Sequence, residues 1–470
     1  MLFNSYIFIF AFLPLTFGIY YFLLHKKLIV GAKGFLVFAS LFFYSWWNVA
    51  YLPLILVSML FNYVIGNSLN DNLTHFKFHK KTLLIIGIVC NLSLLGYFKY
   101  ADFFIENINF VFNSDISALN LILPLAISFF TFQQIAYLVD SYKAETAEYD
   151  FLNYALFVTF FPQLIAGPIV HHAEMMPQFA SRWNLVRRYR NISLGLFIFF
   201  VGLFKKVVIA DTFAEWASYG FDERSSLNFF EAWATSLSYT FQLYFDFSGY
   251  TDMAIGAALL FNIKLPINFN SPYKALDIQD FWRRWHMTLS RFLREYIYIP
   301  LGGNRKGSGR TYFNLMATFV LGGIWHGAGW TFVIWGFLHG FALVVNRFWQ
   351  KFQIKMPVVL AWFMTFNFVN IAWVFFRAKE WQDAAKVLQG MFLTAPTTFS
   401  DIGPLLQGDS ILKYSIFTGL AFFVVLYLNN SMQYRSKFKP SRPFFILLSV
   451  FALTALYFLH RPTEFLYFNF

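Results

Sequence analysis

The 470-residue sequence has few of the residues that cross-link or solvate a protein. It contains a single cysteine, Cys90, which excludes both a disulfide framework within the chain and a thiolate metal site. Charged residues make up only 13% of the chain, whereas 58% is hydrophobic and 23% is aromatic. A soluble domain of this size does not have such a composition. The sequence therefore predicts an all-α, polytopic integral membrane protein.

Apolar runs long enough to cross about 30 Å of hydrocarbon as helices recur along nearly the whole chain. Residues 2–24, 34–50, 82–98, 357–376 and 443–459 are examples. We expect a helical bundle with about 11 to 12 crossings, together with re-entrant and interfacial helices.

The net charge of +12 raises the question of a nucleic-acid partner. The basic residues, however, fall in short loops between apolar segments, where they set membrane orientation and contact lipid, so we expect no nucleic acid. Residues 262–310 hold nine lysines and arginines against three acidic residues, which predicts a cytoplasmic segment. Its apolar residues recur near helical spacing between arginines, as in a helix lying at the membrane interface: Trp282, Trp285, Leu289, Phe292 and Leu293.

Residues 160–170, with the sequence FFPQLIAGPIV, interrupt the helical pattern. Pro162 and the Gly167-Pro168 pair cannot continue a regular helix without freeing backbone groups. Such breaks persist at membrane depth only where protein or water satisfies those groups. We expect a broken or re-entrant segment that faces the protein interior.

Two histidine motifs stand out from this apolar background: FWRRWHMTLS around His286 and GGIWHGAGW around His326. A helix from Thr311 reaches His326 after 15 residues, or about 22 Å, which predicts a position deep in the membrane. A buried ionisable group in lipid indicates function unless packing satisfies it, and that alternative stays open for both histidines. We expect Gly327 and Gly329 to leave backbone open for a ligand, and Trp325 and Trp330 to wall a pocket.

A metal centre is not predicted. The H-E-x-x-H motif is absent, and the nine histidines have no tight ligand spacing.

Several longer motifs resemble those of the membrane-bound O-acyltransferase (MBOAT) family, in the bacterial branch that acts in alginate O-acetylation, peptidoglycan O-acetylation and D-alanyl transfer. The resemblance covers nearly the whole chain, with one departure: His171 stands where the family often has an arginine. The motifs are FTFQQIAYLVDSY from Phe130, FFPQLIAGPIV from Phe160, GLFKKVVIAD from Gly202, FDFSGYTDMAIG from Phe245, NFNSPYKALDIQDFWRRWHMTLSRFLREYIYIPLGGNR from Asn268, GGIWHGAGWTFVIWGFLHG from Gly322, and WVFFRA from Trp373.

The resemblance implies one transmembrane domain, residues 1–470, with a tunnel through the membrane. N-terminal helices occupy residues 1–140, the core with the tunnel and both histidines residues 151–376, and C-terminal helices residues 377–470. The implied reaction moves an acyl group from a thioester to a hydroxyl. His326 matches the essential histidine at the constriction and is assigned as general base, a role that suits imidazole. His286, on the cytoplasmic side, orients the thioester or shares the proton transfer.

Further residues are assigned to the tunnel or its support. Asp246 and Asp252 lie in an apolar run, where they line the tunnel or pair with Lys205 or Lys206. We expect His339 to pack against the site. The other members of this group are Trp325, Trp285, Gln133 and Asn270.

The implied donor is a substrate, with no cofactor resident in the protein. Acetyl-coenzyme A or another phosphopantetheine thioester would meet the basic segment through Arg291, Arg305, Lys306 and Arg310. Lipid phosphate is the alternative partner for each of these cations.

The expected function is transfer of an acetyl group across the bacterial inner membrane to a cell-envelope polysaccharide, either peptidoglycan or an exopolysaccharide such as alginate. The sequence has no soluble domain with a serine motif, so we expect a separate SGNH-type polysaccharide O-acetyltransferase on the periplasmic or extracellular side. Two alternatives are D-alanyl transfer to teichoic acid, and a transporter without chemistry whose histidines relay protons. Internal repeats would favour the transporter, and none is evident.

Overall fold

The computed structural model describes residues 1–70, 79–146, 150–165, 167–393, 398–461 and 466, and over these residues it is helical without any strand. This agrees with the all-α prediction. The α-helices are α1 (Leu13–His25), α2 (Ile29–Ser45), α3 (Leu52–Leu69), α4 (Lys80–Leu95), α5 (Ala101–Phe112), α6 (Ile127–Tyr142), α7 (Phe151–Thr159), α8 (Phe161–Leu164), α9 (His172–Ala180), α10 (Tyr189–Phe204), α11 (Asp211–Ser218), α12 (Phe229–Leu260), α13 (Ile278–Arg284), α14 (Met287–Leu293), α15 (Gly307–His326), α16 (Trp330–Trp349), α17 (Val358–Arg377), α18 (Trp381–Phe392), α19 (Ile411–Tyr427), α20 (Ser431–Lys437) and α21 (Arg442–Phe458).

Short helical segments of other pitch join or extend these helices. The π-helical segments are Phe8–Phe12, Gly96–Tyr100, Lys205–Ala210, Tyr219–Glu223 and Arg294–Tyr298. The 3₁₀ segments are Val49–Tyr51, Arg182–Asn184, Pro272–Lys274, Gln350–Phe352 and Phe399–Leu406.

Within the described parts of the chain, six helical stretches are long and apolar enough to cross a membrane. A seventh arises if Phe399–Leu406 and α19, which meet at an angle of 95°, form one bent span. Two shorter apolar helices, α2 and α21, add to them. The chain thus has the apolar helices of a multi-pass membrane protein. The six stretches are Phe8–His25, Val49–Leu69, Lys80–Phe112, Tyr189–Glu223, Trp330–Phe352 and Val358–Arg377.

The chain forms two compact units that interleave along the sequence. The first comprises Met1–Phe200, Tyr250–Pro266 and Pro440–Leu448, and the second comprises Val201–Gly249, Ile267–Lys439 and Ser449–Phe470. The division expected from the sequence, a single domain with boundaries near residues 140, 151 and 376, stays a prediction.

Buried polar side chains join the helices of the first unit. Asn62 on α3 and Asn91 on α4 exchange two amide hydrogen bonds, with N···O distances of 3.1 and 2.6 Å. On α6, the Gln134 amide donates to Ser58 at 3.2 Å and accepts from Tyr154 at 3.3 Å. These groups satisfy one another inside an apolar bundle, as buried polar groups must.

The broken segment predicted at residues 160–170 is present. Helix α7 ends at Thr159, and α8 lasts only four residues, from Phe161 to Leu164. Ala166 lies outside the described residues. The freed backbone is paired in part by side chains, since the Phe161 N–H donates to the Ser40 hydroxyl at 3.1 Å and Gln133 and Gln163 donate to the Phe157 carbonyl. The segment is buried, as expected for a helix break inside a membrane protein.

In the second unit, α15 and α16 form a closely packed antiparallel hairpin. A Cβ atom at Gly323 would lie 2.3 Å from the Phe332 carbonyl oxygen, and one at Gly336 would lie 2.4 Å from that of Phe319. Only glycine allows the two backbones to approach this closely. Helix α15 begins at Gly307 and not near Thr311 as expected, so His326 lies about 28 Å along it.

Residues 278–293 differ from the interfacial helix that the sequence predicted. The chain forms two seven-residue helices, α13 and α14, that meet at His286. The apolar residues that suggested a lipid-facing stripe are buried in protein, with Trp285 only 3% exposed and Leu289 1% exposed. A helix with an apolar face and arginines opposite can pack that face against lipid or against protein. The pattern therefore could not show that this face is buried in protein.

Candidate active site

His326 is the last residue of α15 and lies in an aromatic enclosure. Its side chain is 4% exposed. Its ring centre lies 4.9 Å from that of the neighbouring Trp325, 5.1 Å from Trp335 on α16 and 5.1 Å from Phe376 on α17. Three helices therefore fix one imidazole in a site that leaves little room for bulk water.

The surroundings of His326 differ from the expected open pocket. The space beside Gly327 is filled, because a Cβ there would lie 2.1 Å from the Phe332 ring. Trp330 is 60% exposed, and Trp335 is the tryptophan of α16 that packs against the His326 ring. Both glycines have extended backbone, with φ of −158° at Gly327 and −170° at Gly329, so neither needs the freedom of glycine for its conformation.

His286 is fully buried at the junction of α13 and α14. Its backbone is left-handed, with φ 42° and ψ 54°, which is uncommon for a residue other than glycine. Its Nδ1 atom lies 3.1 Å from Asn268 Oδ1, and the Phe247 ring meets it edge-on with ring centres 4.8 Å apart. His286 lies outside the candidate spans, and burial lowers its pKa to about 3, so the ring is neutral near pH 7.

The two histidines are neighbours, with ring centres 6.5 Å apart. His286, expected in the basic segment on the cytoplasmic side, is carried by α13 and α14 into the protein interior beside His326. A direct N···N hydrogen bond would need ring centres roughly 5 Å apart, so the rings do not bond each other. A hydroxyl or thiol between them could contact both, which is the geometry that proton transfer to and from a reacting atom requires.

Further aromatic rings and a third histidine pack around the residues next to His286 and His326. Trp285 lies 5.1 Å from Phe269 and 4.9 Å from Trp373, measured between ring centres. His339 is fully buried, and its Nδ1 accepts a hydrogen bond from Trp282 Nε1 at 3.2 Å. His339 also lies 4.8 Å from Trp335, so it contacts the residue that packs against His326.

A buried ion cluster lies next in sequence to Phe247. Asp246 on α12 pairs with Lys206, one of the two lysines expected, with Nζ and Oδ1 2.7 Å apart. Lys206 also contacts Asp211 at 2.6 Å. All three side chains are buried, and one ammonium group forms ion pairs with two carboxylates. The other lysine, Lys205, donates to the Ser431 hydroxyl at 3.3 Å.

The remaining support residues have other surroundings. Gln133 and Asp252 are buried in the first unit, where Gln133 donates to the Phe157 carbonyl at 2.8 Å. In the second unit, Asn270 Oδ1 accepts from Asn430 at 3.0 Å, and its backbone N–H donates to the Arg284 carbonyl at 2.9 Å. Asn270 thus helps to hold the chain around His286.

The four candidate donor-binding cations differ in exposure. Arg291 is half-buried on α14, whereas Arg305, Lys306 and Arg310 are exposed just before and within the start of α15. Arg310 donates to the Leu301 carbonyl at 3.4 Å. Within the described parts of the chain, no cluster of His, Cys, Asp or Glu is arranged to hold a metal ion.

Sequence reasoning missed three residues of the site: Asn268, Trp335 and Asp211. Trp335 precedes His339 by four residues on α16, so helical spacing could have placed both on one face. Asp211 follows Lys206 by five residues and could have been considered with it. Asn268 bonds a residue 18 positions away through irregular chain, and no spacing rule predicts that contact.

Comparison with known proteins agrees with the motifs. Residues 35–379 match the model of the membrane-bound O-acyltransferase family. A peptidoglycan O-acetyltransferase of Helicobacter pylori is 58% identical over 421 residues, covering 83% of this chain and 80% of that protein. The protein named probable alginate O-acetylase AlgI, of Pseudomonas aeruginosa, is 39% identical over 437 residues, covering 90% and 81%.

The chain is also similar, at lower identity, to a protein with a different named activity. A teichoic acid D-alanyltransferase of Bacillus subtilis is 28% identical over 279 residues, covering 55% of this chain and 70% of that protein. The family match spans both buried histidines and most of the second unit. This chain is therefore a multi-pass membrane acyltransferase that belongs to the membrane-bound O-acyltransferase family.

Proposed function

We propose that this protein takes an acetyl group from a cytoplasmic thioester and moves it across the bacterial inner membrane for O-acetylation of a cell-envelope polysaccharide. Peptidoglycan is the first candidate acceptor, because the relative with 58% identity is named a peptidoglycan O-acetyltransferase. An exopolysaccharide such as alginate is the second, on the strength of the 39% relative. The observation that carries the proposal is the pair of buried imidazoles 6.5 Å apart.

In the proposed reaction, a hydroxyl attacks the thioester carbonyl between the two rings. His326 accepts the hydroxyl proton as the new C–O bond forms. The C–S bond then breaks, and the protonated ring returns that proton to the leaving thiolate, so the products are an ester and a thiol. The aromatic enclosure supports this chemistry by limiting the access of water to the acyl group.

His286 contributes a second site for the proton in this scheme. It is neutral, buried and close enough to hold the donor's thioester in place or to share the proton with His326 through the reacting atom. The donor would be acetyl-coenzyme A or another phosphopantetheine thioester. The exposed cations Arg305, Lys306 and Arg310, with the half-buried Arg291, suit its phosphates.

The proposal includes a partner and a topology. An SGNH-type polysaccharide O-acetyltransferase on the periplasmic or extracellular side would pass the acetyl group to the glycan. About 11 to 12 crossings would arise if the bent pair of Phe399–Leu406 and α19, together with helices such as α2, α12, α15 and α21, spans the membrane beside the six longer stretches.

The central test replaces His326 with alanine in cells that lack the wild-type protein. We expect glycan O-acetylation to fall by about 10²- to 10⁴-fold, the usual contribution of a general base. Acetate released from isolated peptidoglycan by mild alkali measures the loss. His460→Ala is the matched control, because His460 is an exposed histidine of the same chain, and it should acetylate normally. Full acetylation by His326→Ala, at equal protein level in the membrane, would refute the catalytic assignment.

A second experiment identifies the donor. Purified protein in nanodiscs is given acetyl-coenzyme A or, separately, an acylated carrier protein, and the released thiol is measured with a disulfide reagent. Cys90 is the single cysteine of the chain, so the assay uses the Cys90→Ser protein, in which the released donor is the only source of thiol. Thiol release from acetyl-coenzyme A is expected. Release from a D-alanyl carrier protein alone would instead support D-alanyl transfer.

A further inference from the structure

Asn268 is a fully buried amide whose oxygen collects three hydrogen bonds around His286. The Thr288 backbone N–H donates to Asn268 Oδ1 at 3.1 Å, and the Thr288 hydroxyl donates to it at 2.8 Å. The third contact is His286 Nδ1 at 3.1 Å. The side chain of one residue therefore ties the histidine to the first turn of α14.

The backbone contact fixes which atom of the amide faces His286. A backbone N–H can only donate, so the Asn268 atom it meets must be the acceptor oxygen. The same oxygen meets His286 Nδ1, and two acceptors do not bond each other. Nδ1 must therefore carry a hydrogen. In a neutral imidazole the other nitrogen, Nε2, then carries no hydrogen and is the basic atom of the ring.

The surrounding backbone holds His286 in its left-handed conformation. The Met287 N–H donates to the Asn268 carbonyl at 2.9 Å, and the Asn270 N–H donates to the Arg284 carbonyl at 2.9 Å. Residues 268–270 thus run beside residues 284–288 and fix both the position and the rotation of the ring. A conformation that costs energy is kept where such contacts over-determine it.

We infer that Asn268 is the positioning residue of the active site: it keeps the His286 proton on Nδ1 and so reserves Nε2 as a proton acceptor for the reacting hydroxyl or thiol. This inference rests on the proposed function. It assigns Asn268 no contact with substrate, since its effect is transmitted through the histidine.

The first test is spectroscopic and uses the wild-type protein. With ¹⁵N-labelled histidine in nanodiscs, the chain gives signals from only nine histidines, and His286→Gln identifies the His286 signals by their loss. At neutral pH, we expect the proton on Nδ1 and an unprotonated Nε2. An Nε2–H form of His286 in the wild type would overturn the inference whatever the variants do.

The second test compares substitutions at Asn268 and Thr288. Asn268→Leu keeps the volume but removes the acceptor, so we expect acetylation to fall roughly 10- to 100-fold, as when a residue that orients a functional histidine is lost. Asn268→Asp restores the acceptor and should recover most of that activity. Thr288→Val removes one donor to the amide but leaves the contact to His286, so the Nδ1–H signal should persist.

Two outcomes of this comparison would contradict the inference. One is an Asn268→Leu protein with wild-type activity and an unchanged His286 signal. The other is an Asn268→Asp protein as inactive as Asn268→Leu although it folds and inserts normally. If Asn268→Leu fails to fold, the wild-type spectrum and the activity of Asn268→Asp still test the inference. Failure of the proposed function can be told apart from failure of this inference, because only the former predicts that the His326→Ala protein still acetylates glycan.

Discussion

The two histidines of the site are held in different ways. His286 sits at a helix break and is fixed by hydrogen bonds from an irregular segment, with its Nδ1 atom on Asn268. His326 ends a 20-residue helix and is enclosed by rings from three helices. The hydrogen bond to Asn268 defines the proton position on His286, whereas the aromatic contacts of His326 define only the position of its ring. This contrast suits a site in which His326 is the general base and His286, oriented by Asn268, offers Nε2 as a second proton acceptor.

The largest loss of acetylation is expected from breaking the helix packing that places His326. In Gly323→Ala, the new Cβ would lie 2.3 Å from the Phe332 carbonyl oxygen and 3.0 Å from Gly336 Cα, so α15 and α16 must separate. We expect the free energy of unfolding to fall by about 1–3 kcal/mol and most acetylation to be lost. Thermal unfolding in detergent and acetate release measure the two effects.

The same helix offers the control. Gly309 has open space at its Cβ position, so Gly309→Ala should leave activity intact and raise stability by up to about 1 kcal/mol. Equal tolerance of alanine at both glycines would mean that His326 does not depend on this packing.

The next effect tests the polar side of the site. Lys206→Met leaves Asp211 and Asp246 buried without their ammonium partner, which costs about 3–5 kcal/mol when one member of a buried ion pair is removed. Because Asp246 precedes Phe247, which packs against His286, acetylation should fall in the protein that still folds. Activity and thermal unfolding are measured together.

Lys205→Met is the matched control for that substitution. Lys205 is less buried and contacts a hydroxyl group, so its loss should cost much less. Similar losses in the two variants would show that the ion cluster is not what holds this region.

The smallest effect is expected at the surface. Replacing Arg305, Lys306 and Arg310 by glutamine should raise KM for acetyl-coenzyme A by roughly tenfold with little change in kcat, since each exposed charge contributes up to about 1 kcal/mol. The purified thiol-release assay measures both constants. A control with Lys26, Lys27 and Lys355 changed to glutamine removes the same charge from other exposed positions. An equal rise in KM in the control would point to general lipid electrostatics.

Much of the site could be predicted from residue types in an apolar setting. Ionisable residues within apolar runs are costly in a membrane, and that rule singled out His326, Asp246 and Lys206. Prolines and glycines located the helix break at residues 160–170, because they change the backbone locally. These inferences depend on the residue and its immediate neighbours.

Contacts through irregular chain could not be predicted in this way. Asn268 and His286 meet because residues 261–277, irregular apart from the 3₁₀ segment Pro272–Lys274, fold back on the chain, so periodicity carries no signal for this contact. The burial of Trp282 and Trp285 was missed for another reason: an apolar helical face looks the same whether lipid or protein covers it. The neighbouring position of the two histidines follows from that burial and was missed with it.

The proposed mechanism requires that both histidines act on one reacting centre. The direct measurement is a double-mutant cycle of thiol release and glycan acetylation with His326→Ala, His286→Ala and the double variant, at matched levels of folded protein. Residues that act as a unit give non-additive losses. We predict that the double variant is about as active as the less active of the two single variants. A fold-loss equal to the product of the two single fold-losses would contradict a shared reacting centre and place the histidines in independent steps.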